Sequence, residues 1–227
     1  MSQIAANIIS LKQSLPSSVR LVAVSKTRPV TDILEAYNAG QRSFGENRVQ
    51  EIMNKKDQLP DDIEWHLIGH LQTNKVKYIV PFIRLIQSVD SFRLLSSINA
   101  EAIKINRVVD VLLQVYIAGE ETKFGFSGAE IEEMIASAGF RDLKSVRICG
   151  VMGMATFTSD HVQVQKEFRS LALLFNDLKR RYFESDENFR EISMGMSGDY
   201  AIAIKEGSTM IRVGSLIFSE KAGKVNL

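Results

Sequence analysis

Two basic side chains and two small-residue loops hold most of the chemistry this sequence offers. Lys26 closes the first strongly apolar run, Leu21-Val22-Ala23-Val24-Ser25-Lys26-Thr27. On strand alternation it shares a side with Val22 and Val24, toward an apolar interior. An unpaired ammonium there costs several kcal/mol, so such a lysine is neutral, paired or covalently used. The plain alternative is that the strand ends and Lys26 reaches solvent. Far along the chain stand Gly195-Met196-Ser197-Gly198 and Arg212-Val213-Gly214-Ser215. Backbone N–H groups in such loops, one of them opening a helix, can cradle a dianion; otherwise the glycines only permit tight turns. A lysine beside a phosphate seat suggests a Schiff base with a phosphorylated aldehyde or ketone. That leaves an aldolase acting on a sugar phosphate, or a site for pyridoxal 5′-phosphate (PLP). Arg212 helps to separate them, since a guanidinium has only donors and keeps its proton. Facing a pyridine nitrogen, it would hold that nitrogen as an unprotonated acceptor. The ring would then be a poor electron sink, suited to retention or a limited reaction. An internal salt bridge is the alternative role for Arg212.

The elements that must position these residues alternate along the chain. A helix with Ile4, Ile8, Leu11 and Leu15 at helical spacing ends at Pro16. Thr31 can cap a helix running to Ala39, with Gly40 as its stop. Strands are expected at 43–47, 64–69, 85–90, 108–118, 146–152, 191–196 and 210–218, besides the Lys26 strand. Between them lie helices through Val49, Ile52 and Met53, through Val76, Ile79 and Val80, and through Leu94, Leu95 and Ile98, the last capped by Asp90 or Ser91. Ser127-Gly128-Ala129-Glu130 has capping-box spacing and its helix should stop at Gly139. The long helix at 160–182 carries Val164, Phe168, Leu171, Leu174, Phe175 and Leu178 on one stripe. A short helix at 199–205 ends at Gly207. Eight strands alternating with helices predict a single (β/α)8 barrel over residues 1–227, since no G-x-G-x-x-G supports the dinucleotide-binding open sheet. In that barrel, chemistry belongs at the C-terminal strand ends and phosphate at the loops after strands seven and eight. Lys26 and both loops fall in those places.

The chain has 227 residues, 45% of them hydrophobic, enough for a proper core. Lys and Arg number 28 against 27 Asp and Glu, a net charge of +1 that gives no electrostatic case for nucleic acid. Cys149, the sole cysteine, excludes an internal disulfide and reads as inert strand packing. No apolar run approaches the roughly 20 residues of a membrane span, and the N-terminus lacks a secretory pattern. A cytoplasmic protein is expected.

Longer motifs make the reading specific. Ala23-Val24-Ser25-Lys26-Thr27, Phe44-Gly45-Glu46-Asn47-Arg48-Val49-Gln50-Glu51 and Trp65-His66-Leu67-Ile68-Gly69-His70-Leu71-Gln72-Thr73-Asn74-Lys75 resemble the pyridoxal phosphate homeostasis protein family. So do Ser193-Met194-Gly195-Met196-Ser197 and Gly207-Ser208-Thr209-Met210-Ile211-Arg212-Val213-Gly214. The matches run from the first strand to the eighth. The resemblance implies a barrel of the alanine racemase N-terminal type that binds PLP without an established reaction. It implies an internal aldimine on Lys26, Arg212 facing the pyridine nitrogen, and Ser197, Gly214 and Ser215 on the phosphate. Asn47 would line the ring's polar edge and Met152 would pack near the cofactor. Ser219 stands where the family usually has glycine, and Ser215 where threonine is common.

Other residues carry less. His66 and His70 lie four apart with no third ligand in view, so metal binding is not expected; His66 reads as core, His70 as loop, and His161 as solvent-facing. The runs Glu120-Glu121-Thr122-Lys123 and Lys179-Arg180-Arg181 read as solvated surface. The leading reading is a PLP protein that stores, buffers or delivers cofactor, as a monomer, to PLP-dependent apo-enzymes. A racemase is the second. It needs an opposite-face acid/base, in alanine racemases a tyrosine from a separate domain for which this chain has no room. None of Tyr37, Tyr78, Tyr116, Tyr182 or Tyr200 fits that role. A cofactor-free interaction module is the third, and requires the lysine, loops and arginine to align by chance.

Overall fold

The computed structural model describes residues 1–118 and 124–219. Eight parallel strands close into a barrel in chain order: β1 (Arg20–Val24), β2 (Ser43–Glu46), β3 (Glu64–Leu67), β4 (Leu85–Val89), β5 (Val109–Val115), β6 (Val146–Gly153), β7 (Glu191–Ser193) and β8 (Met210–Val213). Closure is by β1 on β8, with Val22 opposite Arg212. Helices follow each strand, and the expected (β/α)8 architecture is the one observed. The Glu120–Lys123 run lies outside the described residues.

Caps written in the sequence start several of these helices. The Ser2 hydroxyl accepts from Ala5 N–H, and Ser91 from Leu94 N–H. Ser127 and Glu130 close a reciprocal capping box, while Asp160 caps Val162 and Gln163 at the head of the helix His161–Tyr182. Several boundaries differ from expectation: β5 and β7 each end three residues early, and three others have a local cause. Pro29, not Thr31, stands at the cap of Val30–Asn38, where its fixed φ of −68° suits the entry. The helix from Gly128 stops at Ala136, because Ser137 recaps a second short helix at Ala138–Arg141 before Gly139 can act. Strand β8 ends at Val213, and Ser215–Phe218 is a helical turn, not strand.

Alternation along the strands separates two apolar shells. Leu21, Ala23, Ile211 and Val213 belong to the large shell between sheet and helices. Val22, Leu85, Leu112, Cys149, Met152 and Met210 form a small one inside the barrel. Cys149 and Met152 are three apart yet both face inward, because β6 slips register at Gly150 against β5. Among the described residues no helix is long and apolar enough to cross a membrane.

Candidate functional site

At the C-terminal mouth lies a cavity of about 700 Å³. It is lined from the ends of β1, β2 and β3 and from the loops after β6, β7 and β8. Lys26, Asn47, Ser197, Arg212, Gly214 and Ser215 all line it. Met152 does not. It is fully buried in the inner shell, and Met154, one inward position further along, reaches the cavity. At about 3.3 Å per strand residue, Met152 belongs to the layer beneath.

Lys26 follows β1 in a turn and is exposed, so it does not enter an apolar interior; the parity with Val24 survives in that both face the cavity. The turn is tightly held. Thr27, with φ of 62°, is one of two described non-glycine residues in the left-handed region. Its N–H donates to Glu51 Oε2 at 2.8 Å. On the other side of Lys26, the Ser25 hydroxyl donates to Glu46 Oε1 at 2.7 Å, and Lys55 Nζ donates to Ser25 O at 3.0 Å. Lys55 also bridges Glu46 at 2.7 Å and Glu51 at 3.2 Å. Burial pushes the Glu46 carboxyl above its ordinary range, against the lowering from Lys55 and Ser25. Glu51, though partly desolvated, is held below that range by Thr27 N–H and Lys55. Both residues flanking Lys26 are thus tied to one buried ion cluster. Asn47 is fixed differently: a Cβ on Gly69 would stand 2.4 Å from Asn47 O, so only glycine lets the β3 loop press onto it.

Arg212 is 3% exposed. It donates Nη1 to Ser193 Oγ at 2.6 Å and Nη2 to Gly153 O at 3.0 Å. Of a guanidinium's five N–H groups, the other three have no protein partner among the described residues. Burial lowers its pKa to about 10, against the raising effect of Asp199, so it stays charged. The alternative role, an internal salt bridge, is not what holds it. Asp199 itself accepts from Met196 N–H at 2.5 Å, and burial raises its carboxyl.

The two small-residue loops meet here. Gly214 N–H donates to Ser197 Oγ at 3.3 Å, joining the β7 and β8 loops. A Cβ on Gly214 would lie 3.2 Å from Val24 O, so the β8 loop packs directly against β1. A Cβ on Gly198 would meet no protein atom within 4 Å, although the residue lines the cavity; its smallness leaves room there and serves no packing. The N–H groups of Ser197, Gly198, Ser215 and Leu216 have no protein partner among the described residues. A donor-only arginine, four free N–H groups, two serines and a lysine around one space suit a phosphorylated aldehyde with a ring acceptor. The donor set fits PLP.

Sequence reasoning missed part of the lining: Met154, Thr156, Phe157 and Asp199. A signal existed for the loop after β6. Glu167 interrupts the apolar stripe of its helix and is 9% exposed. Its carboxylate takes Thr156 N–H at 2.7 Å and Thr156 Oγ1 at 2.8 Å, pinning that loop. His161 is exposed as expected, but on the cavity's rim. His70 pairs with Asp90 at 2.9 Å outside the cavity. Burial pushes the Cys149 thiol up to about 11, in keeping with inert packing. Among the described residues no group of three metal-ligating side chains occurs.

Residues 1–221 match the family model described as the alanine racemase N-terminal domain. The pyridoxal phosphate homeostasis protein of Aquifex aeolicus is 41% identical over 203 residues, spanning 89% of this chain and 87% of that protein. PipY of Synechococcus elongatus, solved without PLP, superposes with a TM-score of 0.88 at 38% identity, covering 95% of this chain and all of the other (100%). The same protein solved with PLP bound gives 0.86 at 37% identity, with the same coverage. A chain this close over nearly its whole length belongs to the pyridoxal phosphate homeostasis protein family, built on the alanine racemase N-terminal barrel.

Proposed function

We propose that the protein binds PLP in the C-terminal cavity and serves PLP homeostasis in the cytoplasm, storing, buffering or delivering the cofactor as a monomer to PLP-dependent apo-enzymes. The observation that carries this is the convergence of Lys26 and Arg212, from neighbouring strands β1 and β8, on one cavity with two loops of unpartnered N–H groups. Lys26 would hold the aldehyde carbon covalently through Nζ. Ser197, Gly214 and Ser215 would take the phosphate, Asn47 would border the ring's polar edge, and Met152 would support the floor from the layer below. When bound, the cofactor supplies a reactive aldehyde and a ring that can withdraw electrons. Arg212 would limit the second property: it presents N–H groups and no acceptor, so a ring nitrogen set against it would stay unprotonated. Retention is favoured over turnover on that ground, and no tyrosine lines the cavity among the described residues to serve an opposite face.

Absorbance tests the reading. Added PLP should give the wild type a band near the visible edge that Lys26→Ala lacks. A wild type showing no such band at saturating PLP contradicts it.

A further inference from the structure

The opposite mouth, at the N-terminal strand ends, holds a recess of about 70 Å³ that shares no residue with the cofactor cavity. Four arginines border it: Arg20, Arg84, Arg147 and Arg190. Two carboxylates organise them. Asp110 pairs with Arg84 and Arg147, each at 2.6 Å. Glu191 pairs with Arg20 at 3.4 Å and Arg190 at 3.7 Å. Four cations against two anions leave a surplus of two positive charges on the rim. Counting Glu64, 3.9 Å from Arg84 and outside the lining, the surplus is still one. Each guanidinium brings five N–H groups, so donors exceed acceptors there. The neighbouring Cys149 thiol, its pKa pushed up to about 11 by burial, adds no competing charge.

His66, fully buried, also lines the recess, and a chain of hydrogen bonds through the barrel fixes its tautomer. Arg212 can only donate, so Ser193 Oγ accepts from it at 2.6 Å. Ser193 therefore gives its own hydrogen to Gln87 Oε1, at 2.7 Å. That orients the amide with Nε2 on His66 Nδ1, at 2.9 Å. An amide nitrogen donates, so Nδ1 accepts, and a neutral imidazole then carries its hydrogen on Nε2. Burial first, and the charges of Arg20 and Arg84 after it, lower the His66 pKa to about 3, which keeps the ring neutral. His66 lines the recess, and its buried Nε2 has no partner. A buried donor left unmet is destabilising, so an acceptor is wanted at this spot.

We propose that this recess binds a small oxyanion, a phosphate taken either as the free ion or as the head of a phosphate monoester, between the arginines and His66 Nε2–H. A recess of about 70 Å³ is several times the roughly 10–15 Å³ that a single water needs, which is room for one tetrahedral anion. Guanidinium forks are matched to phosphate oxygens in geometry as well as charge.

The protein has three histidines, so selective ¹⁵N-histidine labelling gives an NMR readout of His66 itself. Inorganic phosphate should shift the His66 Nε2–H signal saturably. The curve should weaken by about tenfold or more in Arg147→Gln/Arg190→Gln and stay unchanged in Lys26→Ala, which touches only the other mouth. Arg190→Gln alone, at a side chain 71% exposed, gives a weaker effect in a fold not at risk. Glycerol phosphate run in parallel separates the sources: binding shows that a monoester head enters, and binding of inorganic phosphate alone shows a free-ion site. A His66 signal indifferent to phosphate, a shift reproduced by chloride at equal ionic strength, or an unchanged curve in the double variant overturns the proposal.

Discussion

Lys26 is placed by residues that do not reach the cavity. Ser25 and Thr27, on either side of it, are bound to Glu46, Lys55 and Glu51. Glu46 is fully buried, so its charge depends on Lys55. Removing one partner of a buried ion pair costs about 3–5 kcal/mol, since the other is stranded. Lys55→Met should therefore destabilise by about that much in chemical denaturation. Adding Glu46→Gln should restore part of the loss, giving a non-additive cycle. Strict additivity would show that the two side chains do not act as a pair. Little of this was legible in the sequence. Strand alternation put Lys26 on the same side as Val24, because parity is local, but pointed it toward an apolar interior that it does not enter. An ion cluster that joins a strand end to a helix nine residues on leaves no periodic trace.

At the scale of elements, some caps were legible and the lateral constraints were not. Ser91 and the Ser127–Glu130 box act where their spacing to the following helix says they should. The expected strand runs past Val213 because Leu216-Ile217-Phe218 is as apolar as a strand; the chain turns into a helix at Gly214, which packs against Val24. The bulge in β6 was also invisible, and it decides which residues of that strand face inward. It rests on Gly150, whose φ is +146° and whose added Cβ would come within 1.9 Å of Glu191 O. Gly150→Ala combines a backbone clash with a strained φ, so it should cost about 3 kcal/mol or more. In a chain of this size that lowers the thermal midpoint by roughly 6–12 °C. A midpoint within a degree of wild type would show that β6 and β7 can separate there freely.

Across the whole molecule, the barrel interior is not purely apolar. A line of side chains, Arg212, Ser193, Gln87 and His66, runs from the cofactor cavity to the arginine recess, each hydrogen bond setting the direction of the next. The (β/α)8 fold was legible from its eight alternating units, and the C-terminal site from the barrel's own rule about strand ends. The recess at the other mouth was not, because its arginines lie on four separate segments that only closure assembles. The central claim is that the C-terminal cavity holds PLP through Lys26. Borohydride reduction of the PLP-loaded protein, followed by peptide mass mapping, tests it most directly. One phosphopyridoxyl adduct on Lys26 is the predicted result; an adduct on another lysine, with Lys26 unmodified, would contradict the claim.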